Sequence, residues 1–127
     1  PDWAGRTEHC GGRVAFDGLD LTVPAGVFVP RQSALSIVEA AASLPLPPGA
    51  RFLDCGTGSG SILLALLRRL PEAQGLGIDA DQAAVAAAGA NAQAVGFGNR
   101  GRTRHLAFRD LGRLAQEGAG AFQMAVS

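Results

Sequence analysis

Three acids and three glycines are the residues whose spacing in this chain can do chemistry. Gly56, Gly58 and Gly60 alternate with Thr57 and Ser59, directly after a short apolar run that ends in Asp54. A long aliphatic run follows over residues 62–67. Glycines so placed admit φ > 0 and leave no Cβ between the backbone and a ligand. The helix that the aliphatic run predicts presents unpaired N–H groups and a partial positive charge at its N-terminus. Such a corner attracts a carboxylate or a phosphate, and Ser59 or Thr57 is placed to supply a cap oxygen. Asp79 stands about 20 residues beyond the turn, where an acid can accept hydrogen bonds from both ribose hydroxyls of an adenosine. Asp110 is expected to reach the adenine edge, by its carboxylate or through the adjoining backbone. Asp54 is expected to orient the glycine loop, or to meet a ligand's ammonium through it. The spacing is G-x-G-x-G and not the G-x-G-x-x-G of dinucleotide sites, because Ser61 holds the third place. That disfavours a nicotinamide-dependent dehydrogenase.

Acids can converge in this way only if strands stop side by side. The pattern predicts a strand over residues 50–55 and a helix over 59–70, with Arg68 and Arg69 in its last turn and Pro71 as its stop. A strand over 75–79 and an Ala-rich helix over 81–95 follow, with Asp81 as N-cap and Gly96 as C-cap. Residues 103–108 read as a third strand, 111–117 as a helical turn and 122–127 as a fourth strand. This alternation implies an α/β fold with a parallel, doubly wound sheet and right-handed crossovers. The carboxyl ends of its strands then line one crevice, where three acids are costly unless they bond something. Upstream, residues 1–12 read as a loop. Residues 13–29 read as a β-ribbon with a hairpin turn at Asp17-Gly18 and a third short piece over 27–29. A helix over 33–44, with Ser33 as its cap, ends at a Pro-rich linker over 45–49. The expected organisation is a loop and ribbon over 1–29 and a ligand-binding domain over 30–127.

Composition sets bounds. The 127 residues suffice for one domain, and 47% hydrophobic residues suit a packed core. Lys+Arg and Asp+Glu are 11 each, so the net charge is zero and nothing favours direct nucleic-acid or membrane-surface binding. Every basic residue is arginine. The two cysteines, Cys10 and Cys55, lack metal spacing and read as free thiols of a reducing, cytoplasmic compartment. His9 beside Cys10 is poor metal geometry, and no metal is expected. No apolar run reaches membrane-spanning length. The chain starts without Met and stops within an apolar run, which reads as a piece of a longer protein.

The acid and the alternating glycines resemble motif I of class I S-adenosylmethionine-dependent methyltransferases. A longer set of segments narrows this: VFVPRQSALSIVEAA, RFLDCGTGSGSILLALLRRLPEAQGLGIDAD, residues 91–96 and FQMAVS. Together they resemble the HemK-like protein-(glutamine-N5) methyltransferases, over roughly residues 16–127. The resemblance implies a Rossmann-like class I methyltransferase fold, and N5-methylation of the glutamine in the Gly-Gly-Gln motif of peptide-chain release factors. It implies that Gly56, Thr57, Gly58, Ser59 and Gly60 surround S-adenosylmethionine. Asp79 would bind its ribose, Asp110 and Leu111 would flank its adenine, and Pro30-Arg31 would lie near the mouth of the site. Two departures stand out. The family follows Pro-Arg with an acidic run, where this chain has Gln32-Ser33-Ala34-Leu35. The family's Asn-Pro-Pro-Tyr motif would begin just after Ser127, so no catalytic residue is assigned here. Another N-methyltransferase of this fold, acting on rRNA, a protein lysine or a small molecule, and a degenerate non-catalytic subunit stay open as alternatives.

Overall fold

The computed structural model describes residues 11–117 and 122–127. The loop expected over residues 1–12 lies outside these except for its last two residues, as do His9 and Cys10.

A hairpin comes first. β1 (Gly12–Phe16) and β2 (Leu19–Val23) pair antiparallel with Phe16 opposite Leu19, which leaves Asp17 and Gly18 as the turn. Their φ values of 50° and 78° are the two left-handed positions of a type I′ turn. Leu19, Leu21 and Val23 are buried while Asp20 and Thr22 face out, as the alternation predicts. The third strand expected over 27–29 is absent, and those residues run as a strap. Val27 and Val29 pack on Val23 and Ala84 through side chains, with no ladder to form.

The helix expected over 33–44 is shorter. A 3-10 turn, Gln32–Ala34, leads into α1 (Leu35–Ala42). Ser33 sits inside that turn and does not cap, and its carbonyl accepts from the Ser36 hydroxyl at 2.9 Å. The Gln32 side chain donates to Ala15 O at 2.9 Å and ties the strap to β1.

Four parallel strands follow: β3 (Arg51–Cys55), β4 (Gln74–Asp79), β5 (Gly101–His105) and β6 (Met124–Val126). They lie in the order β5-β4-β3-β6, so the direction of winding reverses between β3 and β6. That reversal opens a crevice at the carboxyl ends, next to the loop that follows β3. β5 ends earlier than residues 103–108 suggest, because after Leu106 N–H donates to Asp79 O the chain turns into a 3-10 turn, Phe108–Asp110.

Three helices cross over: α2 (Ser61–Arg69), α3 (Gln82–Ala94) and α4 (Gly112–Gln116). α2 is buried at Leu63, Leu64, Ala65, Leu66 and Leu67 because the sheet, α1 and the hairpin enclose it. Phe52 joins this side of the core, with Phe16, Leu21, Val38 and Met124. Its neighbour Leu53 points to the other face and packs with Ile78, Leu106 and Leu114 of α4, as the period of two requires. Arg68 and Arg69 reach back to Asp17 at the hairpin tip. The carbonyls of Leu67, Leu70 and Ala73 are bonded instead by the Arg100 guanidinium. α3 begins as expected, with Asp81 accepting from Ala83 N–H at 3.0 Å. It ends with Gly96 at φ 85° and Phe97 N–H bonded to Ala92 O, a Schellman closure.

Candidate functional site

The loop after β3 is shaped by its neighbour strand. The N–H groups of Gly56 and Thr57 both donate to Ile78 O at 2.9 Å, so the chain turns across the end of β4. Gly56, Gly58 and Gly60 have φ of 73°, 56° and 90°. A Cβ on Gly56 or Gly58 would meet nothing within 4 Å, so the missing side chains leave space for a ligand beside the backbone. Gly60 differs. It is the N-cap residue of α2, and a Cβ there would crowd Ala88 at 3.2 Å. The cap oxygen expected from Ser59 or Thr57 is not supplied: α2 has no side-chain cap. The Thr57 hydroxyl donates to Asp54 Oδ2 at 2.9 Å, and Ser59 Oγ is buried with no hydrogen-bond partner.

Asp79 closes the other side. Cys55 pairs with Ile78 in the β3–β4 register, so Asp79 projects one residue past the end of β3 and meets the loop. Its Oδ2 accepts from Gly58 N–H and its Oδ1 from Asp81 N–H, each at 2.9 Å. Asp54 lies on Phe52's face of β3 and is 2% exposed. Burial pushes its carboxyl up to about 7, although the Thr57 hydroxyl and Leu63 N–H favour the anion; the Asp79 charge adds to the rise.

These groups line a cavity of about 420 Å³. Gly56, Thr57, Gly58, Ser59, Asp54 and Asp79 form one wall. The strap and α1 form the other, through Phe28, Pro30, Arg31, Ser33, Ala34 and Ile37. Of the residues singled out by sequence, Gly60 lies just behind the cavity at the head of α2. Asp110 and Leu111 are not among its lining residues. Asp110 is half-buried in the 3-10 turn after β5, and Leu111 packs beside Leu114 on the far face of the sheet. Two supports were not singled out. Gly77 makes room for Thr57, since a Cβ there would stand 2.5 Å from Thr57 Oγ1. Asn91, 2% exposed, bonds Ser59 O from α3. Gly77 had a legible signal, because glycine inside a strand marks a close approach. Asn91 is the one amide on a buried stripe of alanines.

Among the described residues, no group of three or more His, Cys, Asp or Glu is placed to hold a metal, and no helix is long and apolar enough to cross a membrane.

The parallel sheet, its winding reversal and the acid-flanked glycine loop define the class I S-adenosylmethionine-dependent methyltransferase fold. A methyltransferase structure from Agrobacterium tumefaciens superposes with a TM-score of 0.69 over 91% of this chain and 38% of its own, at 14% identity. A methyltransferase from Geobacter sulfurreducens, solved with S-adenosyl-L-homocysteine, is 31% identical, with a TM-score of 0.50 over 61% of this chain and 30% of its own. No family model matches the chain. The release factor glutamine methyltransferase of Rhodospirillum rubrum is 41% identical over 91% of the chain. Another, from Mycolicibacterium smegmatis, is 38% identical over 61%. Within the class, the chain is similar to a segment of these release factor glutamine methyltransferases. It spans about a third of the length of the curated relatives it matches, 34% of the Rhodospirillum protein and 27% of the Mycolicibacterium one.

Proposed function

We propose that this chain forms the cofactor half of an S-adenosylmethionine-dependent methyltransferase. Its acceptor would be the side-chain amide of the glutamine in the Gly-Gly-Gln motif of peptide-chain release factors, met in the cytoplasm. The observation that carries the reading is the Asp79 carboxylate bonded to Gly58 N–H at the edge of a cavity whose loop lacks side chains at Gly56 and Gly58. The acceptor rests on the names of the relatives.

When bound, the cofactor supplies a methyl group on a sulfonium. The rest of the work falls to the chain. Gly56 to Gly60 give the methionine part a bare backbone to lie against. A carboxylate has about four acceptor positions, and Asp79 uses two on Gly58 and Asp81, which leaves two for the ribose hydroxyls. The buried Ser59 hydroxyl offers an unspent hydrogen bond beside the cavity. Asp110 and Leu111 take the adenine flank in this proposal. Phe28, Pro30, Arg31 and Ile37 wall the mouth and exclude water from it. An amide nitrogen is a poor nucleophile, so the site gains most by fixing its approach to the sulfonium.

The test uses the full-length protein. Labelled S-adenosylmethionine is incubated with a release factor and with its Gly-Gly-Gln to Gly-Gly-Ala variant. Label on the first and not on the second is expected. Label on both, or on neither, refutes the acceptor. Absence of calorimetric binding of S-adenosylhomocysteine refutes the cofactor.

A further inference from the structure

The Asn91 side chain makes three hydrogen bonds, and none is to its own helix. Its Nδ2 donates to Ser59 O and to Thr22 O, and its Oδ1 accepts from Thr22 N–H, each at 2.9 Å. Ser59 belongs to the glycine loop and Thr22 to β2. One buried amide therefore pairs with both backbone groups of a hairpin residue, as a neighbouring strand would, and spends its remaining proton on the loop. The hairpin end is held independently. Arg69 donates to Asp17 at its tip, and Val23 packs on Val27, Val29 and Ala84 at its base. At the loop end, Ser59 is a lining residue of the cavity, and its buried hydroxyl has no partner among the described residues.

We propose that Asn91 is a positioning residue of the cofactor site. It fixes the Ser59 peptide, and so aims the Ser59 hydroxyl and sets the exit of the chain through Gly60. It makes the docked hairpin a condition for that arrangement. The inference rests on the cofactor reading above and adds a component to it: the N-terminal hairpin is part of the site's scaffold although Thr22 does not line the cavity.

The physical basis is the cost of an orphan. A buried carbonyl that loses its donor is strongly disfavoured, so the loop without Asn91 shifts to recover a partner. Because the hairpin is anchored by its own contacts, Thr22 offers the Asn91 amide a fixed frame, and loss of either Thr22 bond frees the amide to turn away from Ser59 O.

The test uses the full-length protein with Asn91→Ala and Thr22→Pro. Thr22→Pro removes the single N–H that Asn91 accepts, in a strand where proline is tolerated at an outward N–H. Thr22→Val, which keeps that N–H, is the control. Two quantities are read: the Kd for S-adenosylhomocysteine, and hydrogen-exchange protection of the Gly60 amide in ligand-free protein. Asn91→Ala is expected to weaken binding about tenfold and Thr22→Pro about threefold, with lower Gly60 protection in both. Thr22→Pro is expected to add nothing in the Asn91→Ala background. Unchanged binding and unchanged Gly60 protection in Thr22→Pro overturn the proposal, as do two fully additive effects. If Asn91→Ala does not fold, Thr22→Pro alone decides. If the unmutated protein does not bind the ligand, the cofactor reading falls, and Gly60 protection still decides whether Asn91 positions the loop.

Discussion

A single methyl group at Gly77 tests how the site is held together. Gly77 sits in β4 beside Asp54, its register partner in β3. A Cβ there would lie 2.5 Å from Thr57 Oγ1, 2.8 Å from Thr57 Cβ and 3.1 Å from Thr57 Cγ2. Thr57 is 4% exposed and has its N–H bonded to Ile78 O, so it cannot step aside without loosening the loop. Gly77→Ala therefore overpacks a buried site, at about 1–3 kcal/mol. It also pulls the Thr57 hydroxyl off Asp54, a hydrogen bond worth about 0.5–1.5 kcal/mol. With partial relaxation the sum is about 3 kcal/mol, a large share of a typical domain's stability. Chemical denaturation of the full-length protein measures it, and S-adenosylhomocysteine calorimetry should show weaker binding alongside. Thr57→Ala removes the clashing hydroxyl and methyl, so the double variant should lose less than the two single losses added together. A change below about 0.5 kcal/mol, the range of an uninvolved surface position, refutes the reasoning.

Three further predictions follow from the same geometry. The folded state raises Asp54 from 3.8 to about 7, so it holds that proton more tightly than the unfolded chain. The associated stability is fully present below the ordinary carboxyl range and is lost as pH rises towards 7. Asp54→Asn should flatten that fall in a denaturation series from pH 4 to pH 8, and an unaltered slope contradicts the assignment. Asp17 is opposite in sign. The Arg69 hydrogen bond, with help from Arg68, holds its carboxyl below the ordinary value, so its contribution is present at neutral pH and lost in acid. Asp17→Asn keeps a side chain tolerant of positive φ and removes the charge, and should raise hydrogen exchange across β1 and β2; unchanged protection argues against the tie. Finally, Gly60→Ala should cost more than Gly96→Ala. Both have positive φ, but only at Gly60 would the added methyl press on Ala88. Equal losses on denaturation contradict the close approach of α2 to α3.

Much of the fold was legible because periodicity and punctuation agreed. The Asp17-Gly18 turn, the Asp81 cap, the Gly96 closure and the four strands all appear, since each depends on local backbone chemistry that a few residues determine. The misses have tertiary causes. Residues 27–29 carry a strand's residue types but find a helix surface in place of a ladder. Ser33 was a fair cap by type, but the chain enters α1 through a 3-10 turn that contains it. Thr57 looked like a cap because its competing partner, Asp54, became visible only when β3 and the loop were placed in space, and the Ser59 hydroxyl is buried without bonding the first turn. Most of the site was readable as an acid, three glycines and a second acid about 20 residues on. Gly77 and Asn91 act only through neighbours distant in sequence, so Asn91 in particular reads as one more polar residue on a helix.

The central claim is that the glycine loop and Asp79 together hold an adenosine-bearing sulfonium cofactor. Calorimetric titration of S-adenosylhomocysteine into the full-length protein and into Asp79→Asn tests it most directly. The variant keeps the side chain's shape but presents an N–H₂ where a carboxylate oxygen accepted, a loss of about 2 kcal/mol or roughly 30-fold in Kd. Saturable one-to-one binding that weakens by that order is the predicted result; equal affinity in the two proteins contradicts the account.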